Sequence, residues 1–344
     1  MKSNFTIKDI ARELNLSTST VSRAINDHHS ISQETKERVQ ALVEKLDFRI
    51  NSLARNLRSQ KSNIIGLIVP KISMYYQAAV ITTIQQKLQE YGYPLMIFQT
   101  NESPALEKEL VDVLYTSRVG GLIISATLYT DDFSPFDVFT QGGIPLVFYD
   151  RVPLHYPVHN IKSDEYQGGY QATRHLLEQG CRRIAIISGI LSCKIYQDRY
   201  WGYQAALAQY GLPLDPGLVF QHELTEEHAR QDFEVLFGRG QDPDGVFACN
   251  DTTAITLVKA AKKNRISVPE KLKVVGYSND PRTTIIEPAI TSVDQFPQEV
   301  GEQAATLMVN LIRQKIKPGK SFVSMTTPVR LIERASSAAT LPAE

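Results

Sequence analysis

From Asn63 onward short β-branched runs alternate with amphipathic helical stretches, and this alternation constrains the fold more than any other feature. The runs are Ile64–Pro70, Pro94–Thr100, Gly120–Ala126, Ile144–Asp150, Arg183–Gly189, Gly245–Asp251 and Leu272–Ser278. Helical stretches such as Ala78–Tyr91, Ala105–Ser117, Gly168–Glu178 and Thr252–Asn264 lie between several of them. This is the βα alternation of open parallel sheets with helices on both faces. The stretch is long for one such sheet, so two sheets with a cleft between them are expected.

Ligands in such folds bind beyond the carboxyl ends of the strands. Those ends are polar here: Gln99-Thr100-Asn101, Ser125, Asp150-Arg151, Asn250-Asp251 and Ser278-Asn279. Donors and acceptors on several strands, converging from two lobes, suit a polyhydroxylated small molecule. Taken singly, each also suits a helix N-cap or a turn, Asp251 and Ser125 in particular.

The N-terminus has a different character. The chain of 344 residues has no net charge, with 37 Lys/Arg against 37 Asp/Glu. Residues 1–62 hold eleven Lys/Arg against seven Asp/Glu, a net of +4, which leaves 26 against 30, a net of −4, for residues 63–344. A small basic module on a larger acidic body suggests that the first module meets a polyanion. Lys2, Asp9 and Arg12 interrupt any apolar stretch that would read as a signal peptide. Three cysteines without metal-type spacing (Cys181, Cys193, Cys249) suit a reducing cytoplasm and imply no disulfide framework.

Thr6-Ile7-Lys8-Asp9 has capping-box spacing, and Ile7, Ile10, Ala11 and Leu14 share one face of a short helix. Asn15 tolerates left-handed backbone and can close a tight turn. Ser17 is a good N-cap for a second helix, Thr18 to Asn26, which buries Val21, Ala24 and Ile25 and turns Thr18, Ser19, Ser22 and Arg23 outward. A third helix, capped by Ser32 and running to about Leu46, points Val39, Leu42, Val43 and Leu46 inward. Helix, short turn and polar-faced second helix make a helix-turn-helix, whose second helix enters the major groove. Arg23 can read guanine with two hydrogen bonds, and Thr18 and Ser19 can meet bases or thymine methyls. The same spacing also suits a plain three-helix bundle with a solvated Ser/Thr face.

Asn51-Ser52-Leu53-Ala54-Arg55-Asn56-Leu57-Arg58 is helix-compatible but only about two turns long, and isolated helices that short are marginal in water. With basic ends and an unpartnered Leu57 it fits a segment that folds on binding and wedges the minor groove. A flexible linker with an incidental leucine is the alternative.

Thr6 to Asn26, with Leu16-Ser17-Thr18-Ser19-Thr20-Val21-Ser22-Arg23, resembles the headpiece of the lactose/galactose repressor family, and Asn51 to Arg58 resembles its hinge helix. The resemblance extends from Ile64 to about Glu333 through Arg182-Arg183-Ile184-Ala185, Arg199-x-x-Gly202-Tyr203, Asn250-Asp251 and Val274-Val275-Gly276-Tyr277. It implies an all-α helix-turn-helix headpiece on an α/β, periplasmic-binding-protein-like body of two parallel-sheet subdomains. The expected divisions are a headpiece at 1–48, a hinge at 49–62, a body at 63–335 and a tail at 336–344. Within the body, an N-subdomain (63–162 and 292–324) and a C-subdomain (163–291 and 325–335) would be joined by crossovers near residues 162, 291 and 324.

The candidate DNA-contacting residues are Thr6, Ser17, Thr18, Ser19, Thr20, Ser22, Arg23, Asn26, Asn51, Ala54, Arg55 and Leu57. The resemblance makes Thr18, Ser19 and Arg23 base readers and Leu57 the intercalating lever. It also matches Asp150, Arg199, Asn250 and Gln295 to ligand-contacting positions. Met74, Tyr76, Asn101, Ser125 and Ser278 complete the candidate ligand set. Three departures are visible: Ile50 stands where a proline is usual, Ser278 where sugar-binding members commonly carry aspartate, and Met74 where a polar residue is frequent. Trp201, beside Arg199, is read as core.

No phosphate-binding loop, metal-ligand spacing or nucleophile elbow is present, so neither an enzyme nor a cofactor or metal is expected. The expected molecule is a cytoplasmic, nucleoid-associated homodimer that binds a palindromic operator in double-stranded DNA. It is a transcription regulator, read as a repressor, controlled by a small-molecule effector, a sugar or sugar derivative. The alternatives are a transport-type solute-binding protein and an effector-independent DNA-binding regulator.

Overall fold

The computed structural model describes residues 5–25, 27–46, 62–238, 242–315 and 321–338. The chain divides into two compact units, Met1–Ser62 and Asn63–Glu344. Among the described residues no helix is long and apolar enough to cross a membrane.

The described residues of the first unit form three helices, α1 (Ile7–Glu13), α2 (Thr18–Ile25) and α3 (Gln33–Lys45). At the start of α1 the Thr6 N–H and hydroxyl both donate to the Asp9 carboxylate, at 2.9 and 2.6 Å, and these bonds hold that carboxyl below its usual range. Asn15 takes φ 54° at the turn, and the Leu16 N–H closes it on the Ala11 carbonyl. Ile10, Ala11, Val21, Ala24, Val39 and Leu42 form the core, with Ile7, Leu14, Leu16, Ile25, Val43 and Leu46 packed against it.

The second unit is two lobes. In the N-lobe, β1 (Ile65–Val69), α4 (Tyr75–Glu90), β2 (Leu95–Gln99), α5 (Pro104–Thr116), β3 (Gly121–Ile124), α6 (Asp137–Gln141), β4 (Leu146–Tyr149) and β5 (His159–Ser163) follow in order. The C-lobe takes over with α7 (Glu165–Glu178), β6 (Ile184–Ser188), α8 (Lys194–Gln209), β7 (Val219–Gln221), α9 (Glu226–Gly238), β8 (Gly245–Ala248), α10 (Asp251–Lys263), β9 (Lys273–Tyr277), α11 (Arg282–Ile285) and β10 (Thr291–Asp294). The chain then returns as α12 (Pro297–Ile312) and β11 (Ser324–Thr327), and crosses once more to β12 (Arg330–Ile332). The sheets run β11-β5-β4-β3-β1-β2 and β12-β10-β9-β8-β6-β7. All pairings are parallel except β10 with β12, which is antiparallel.

Period-2 alternation divides each strand between two helix layers. Leu67 faces α4 and α12 through Val80, Ile84, Ala304 and Met308, whereas its neighbour Ile68 joins Leu110, Val111, Leu114 and Phe148 on the other side. In the C-lobe Ile186 packs with Leu176, Tyr203 and Leu207, and Ile187 with Phe233, Leu257 and Val258.

The three crossings fall at Asp164, Gln295–Phe296 and Pro328–Val329, each a few residues beyond the expected place. The reason is strand pairing: Thr291–Val293 completes its ladder with β9, and Ser324–Thr327 its ladder with β5, before the chain leaves the sheet. His159 opens β5. The beginning of the expected tail is also structural. Ser336 and Ser337 are fully buried, and the Ser336 hydroxyl donates to the Val274 carbonyl at 2.6 Å while accepting from the Thr291 N–H. Trp201 is 45% exposed, with the Lys194 ammonium 5.2 Å from its ring, so it is a surface residue rather than core.

Helices α7 and α8 cross at glycines. A Cβ on Gly202 would lie 2.2 Å from the Tyr166 carbonyl oxygen, and one on Gly169 2.1 Å from the Arg199 carbonyl oxygen. Backbone cannot yield as a side-chain tip does, so Gly202→Ala is expected to cost about 1–3 kcal/mol of stability. Urea unfolding followed by circular dichroism checks this; an unchanged midpoint would show that the crossing tolerates a methyl group.

Candidate functional site

On the headpiece, the Ser17 hydroxyl accepts the Thr20 N–H at 3.0 Å and lies within 2.8 Å of the Ser19 and Thr20 hydroxyls. Ser17 and Thr20 therefore serve the helix cap. Thr18, Ser19 and Arg23 stand exposed on α2, with Ser19 and Arg23 one turn apart on the same row, and Ser22 is half-buried. Thr6 is exposed at the start of α1. The candidates Asn26, Asn51, Ala54, Arg55 and Leu57 lie outside the described residues.

In the body a cleft of about 230 Å³ opens between the lobes. The N-lobe contributes Lys71, Ser73, Met74, Tyr75 and Tyr76 from the β1–α4 turn, together with Glu102, Leu128 and Arg151. The C-lobe supplies Tyr196, the 223–225 turn after β7, Asn250 to Thr252 at the start of α10, and Ser278, Asp280 and Arg282. Among the candidate ligand residues, Met74, Tyr76, Asn250 and Ser278 line this cleft. Asn250 also caps α10, its Oδ1 accepting the Thr253 N–H at 2.8 Å while its amide donates to the Leu224 carbonyl.

The other candidates lie beside or beneath the cleft lining. Asn101, exposed at φ 52°, hydrogen-bonds Gln99. In the N-lobe the Gln77 amide donates to Asp150 Oδ2 at 3.1 Å, the Ser125 hydroxyl donates to the same oxygen at 3.4 Å, and the Tyr149 hydroxyl donates to Gln77 Oε1. Burial raises the Asp150 carboxyl to about 6, against the opposing pull of Arg151.

In the C-lobe the remaining candidates form one relay. Ser278 donates to Gln295 Oε1 at 3.1 Å, and the Gln295 amide donates to Glu165 Oε1 at 2.8 Å. Arg199 Nε donates to Glu165 Oε2 at 2.7 Å and its Nη1 to the Cys249 carbonyl at 2.7 Å. The Arg199 guanidinium also sits 3.7 Å from the centre of the Tyr277 ring. The structure thus unites Arg199, Gln295 and Ser278 in one network, and Ser125 with Asp150 in another.

Three pairs at the cleft escaped the sequence. Arg151 Nη1 donates to both Glu102 oxygens, at 3.0 and 2.8 Å, with both side chains buried. Arg282 grips Asp280 through Nε and Nη2. The Tyr129 hydroxyl donates to Glu223 Oε1 at 2.6 Å. Arg151 was visible as a polar strand end, but Glu102 lies 49 positions away and no local pattern links them. Asp251, buried at the cleft edge, is pushed up to about 7 by burial, although Asp280 N–H and the Ser292 hydroxyl donate to it. Behind Glu223, His222 places one ring nitrogen 2.8 Å from Asp232 and the other 3.0 Å from the Glu223 carbonyl. Both neighbours are acceptors, and the Asp232 bond raises this imidazole's pKa. Among the described residues no cluster of three or more His, Cys, Asp or Glu could hold a metal.

Comparison with known proteins matches these two units separately. Residues 6–51 match the profile of bacterial regulatory proteins of the lacI family, and residues 173–337 match the periplasmic binding protein-like domain. The chain is 29% identical over 312 residues to the HTH-type transcriptional repressor PurR of Histophilus somni (strain 129Pt), covering 91% of this chain and 93% of that protein. The headpiece is thus that of the lacI family of bacterial regulatory proteins, and the body is periplasmic binding protein-like. Among solved structures, this chain resembles the transcriptional regulator CelR–cellobiose complex, at a TM-score of 0.73 and 26% identity over 96% of this chain and 99% of that one. It shares its fold with the lac repressor dimer bound to operator and the anti-inducer ONPF, at a TM-score of 0.86 and 22% identity over 98% and 100%.

The buried Asp150 carboxyl gives a pH test. The native state keeps its proton to about pH 6, whereas the unfolded chain loses it near 4. Its contribution is therefore complete below about pH 4 and is lost as pH rises through 6. Asparagine accepts the same bonds from Gln77 and Ser125 and tolerates the φ of 59° found here. Asp150→Asn should exceed wild type in stability by on the order of 1–3 kcal/mol at pH 7.5, with the difference vanishing by pH 4. Paired urea titrations at the two pH values check it; a pH-independent difference would contradict it.

Proposed function

We propose that this lacI-family regulator is a cytoplasmic repressor that binds a palindromic operator as a homodimer and releases or grips it in response to a small-molecule effector in the inter-lobe cleft. The observation that carries the reading is the pairing, in one chain, of a helix-turn-helix with an exposed Thr18-Ser19-Arg23 face and a cleft lined by polar strand ends of two lobes. PurR of Histophilus somni and the lac repressor are repressors by name, and CelR is a regulator solved with cellobiose. The cleft's mixture of Tyr75, Tyr76 and Tyr196 with Asn250, Ser278 and Thr225 suits a sugar or sugar derivative, whose ring packs on apolar faces while its hydroxyls meet donors and acceptors.

On DNA, Arg23, Thr18 and Ser19 read bases, and Asn51, Ala54, Arg55 and Leu57 contact the minor groove. Effector binding shifts the lobes and so biases operator affinity. It acts only through a difference in affinity between the two states. Asp150, Arg199 and Gln295, although beneath the lining, belong to this account as the networks that hold the cleft walls. Asn101 and Ser125 are retained as members of the same strand-end set.

Selection of duplexes from a random library should return a two-fold symmetric site bound with a steep loss of affinity as salt rises. Arg23→Ala is expected to lose about 1–3 kcal/mol of discrimination at one base pair of each half-site. Gel-shift titration measures both, and a complex without sequence preference would sink the regulator reading. Thermal-shift screening of the full chain against sugars, sugar acids and their phosphates should raise the melting temperature for one class.

A further inference from the structure

The N-lobe loop from Ala126 to Thr130 behaves as part of the opposite lobe. Leu128 is 7% exposed and belongs to the apolar cluster of the C-lobe, together with Cys193, Ile195 and Tyr196. Every other buried member of that cluster comes from Ala172 onward in the chain. The next residue, Tyr129, carries its hydroxyl to Glu223 of the C-lobe. Both contacts span the cleft, since Leu128, Glu223 and Leu224 line it.

The loop is braced from its own lobe by two buried carboxylates. Glu102 accepts the Leu128 N–H at 2.8 Å and pairs with Arg151. Glu107 accepts the Thr127 N–H at 2.8 Å and the Thr130 hydroxyl at 2.7 Å. The receiving side is braced as well, because His228 and His222 both place a ring nitrogen against the Glu223 carbonyl. A side chain seated in a foreign core, flanked by a hydrogen bond and anchored by fixed carboxylates, is a fastening between the two lobes away from the crossings.

We propose that Ala126–Thr130 is a latch that holds the cleft closed, with Leu128 as its tongue and Tyr129–Glu223 as its clasp. The proposal rests on the reading that the cleft receives the effector, and it adds how entry is regulated. An effector reaches the cleft only from the open state, so the latch lowers apparent affinity by the fraction of molecules open. Loosening it raises that fraction without touching a residue at the cleft floor.

The test uses spin labels on the full chain. Cys181, Cys193 and Cys249 are all buried, so Lys108→Cys and Glu227→Cys, both exposed and flanking the two halves of the latch, take labels selectively. Pulsed dipolar spectroscopy of the otherwise wild-type protein should give one short-distance population. Leu128→Ser with Tyr129→Phe should move most of it to longer distance. Tyr129→Phe alone, which leaves the apolar seat intact and does not endanger the fold, should raise the long-distance fraction by a smaller amount. Unchanged distributions in both variants, or a wild-type distribution that is already long, would overturn the latch. Neither DNA nor effector enters the measurement, so failure here leaves the regulatory reading standing, and failure to bind an operator leaves the latch standing.

Discussion

The buried ion pair between Arg199 and Glu165 is the interaction on which the body depends. Glu165 opens α7 immediately after the first crossing, and its second oxygen takes the amide of Gln295 at the second crossing. Two of the three connections between lobes therefore meet at one buried carboxylate, which Arg199 holds. Both side chains are almost wholly buried, so their mutual attraction must offset a desolvation cost of several kcal/mol per ion. The additional bond from Arg199 to the Cys249 carbonyl and its stacking on Tyr277 complete the compensation. Burial alone would lower the affinity of Arg199 for its proton, but Glu165 and its neighbours hold it well above the ordinary value.

This arrangement also explains why glycines occupy the α7–α8 crossing. Arg199 must approach Glu165 from the neighbouring helix, and any Cβ on Gly169 or Gly202 would strike backbone before the helices came close enough. Close packing, ion pair and crossing geometry are one feature seen at three levels. At the opposite side of the cleft the lobes meet through Leu128 and Tyr129, contacts that are apolar or solvent-exposed and hence weaker. A strong joint at the crossings and a weak fastening at the mouth is the division of strength that a closing cleft requires.

Much of this was legible in the sequence because it is local. The Thr6–Asp9 box, the left-handed Asn15, the Ser17 cap and the seven β-branched runs depend on residues a few positions apart, and each is found where the spacing placed it. Strands β5, β7, β10, β11 and β12 were less legible, since they are short or half-exposed and carry residues such as His159, Lys162 and Arg330. The resemblance directed attention to Arg199, Gln295, Asp150 and Ser125, but whether such residues face the cleft or one another is a tertiary matter. Here they satisfy one another. Glu102–Arg151 and Tyr129–Glu223 join residues 49 and 94 positions apart, and pairing at that range leaves no periodic trace.

The central claim is that the cleft and the headpiece share one equilibrium. Linkage makes that claim reciprocal: an effector that changes operator affinity by some factor must have its own affinity changed by the same factor when operator is bound. Isothermal titration of the compound found by thermal shift, into the free protein and into its operator complex, reads this directly. The account predicts two different dissociation constants, separated by about 5–150-fold, the usual range of such coupling. Equal constants for the free and DNA-bound protein would mean that the cleft does not govern the headpiece.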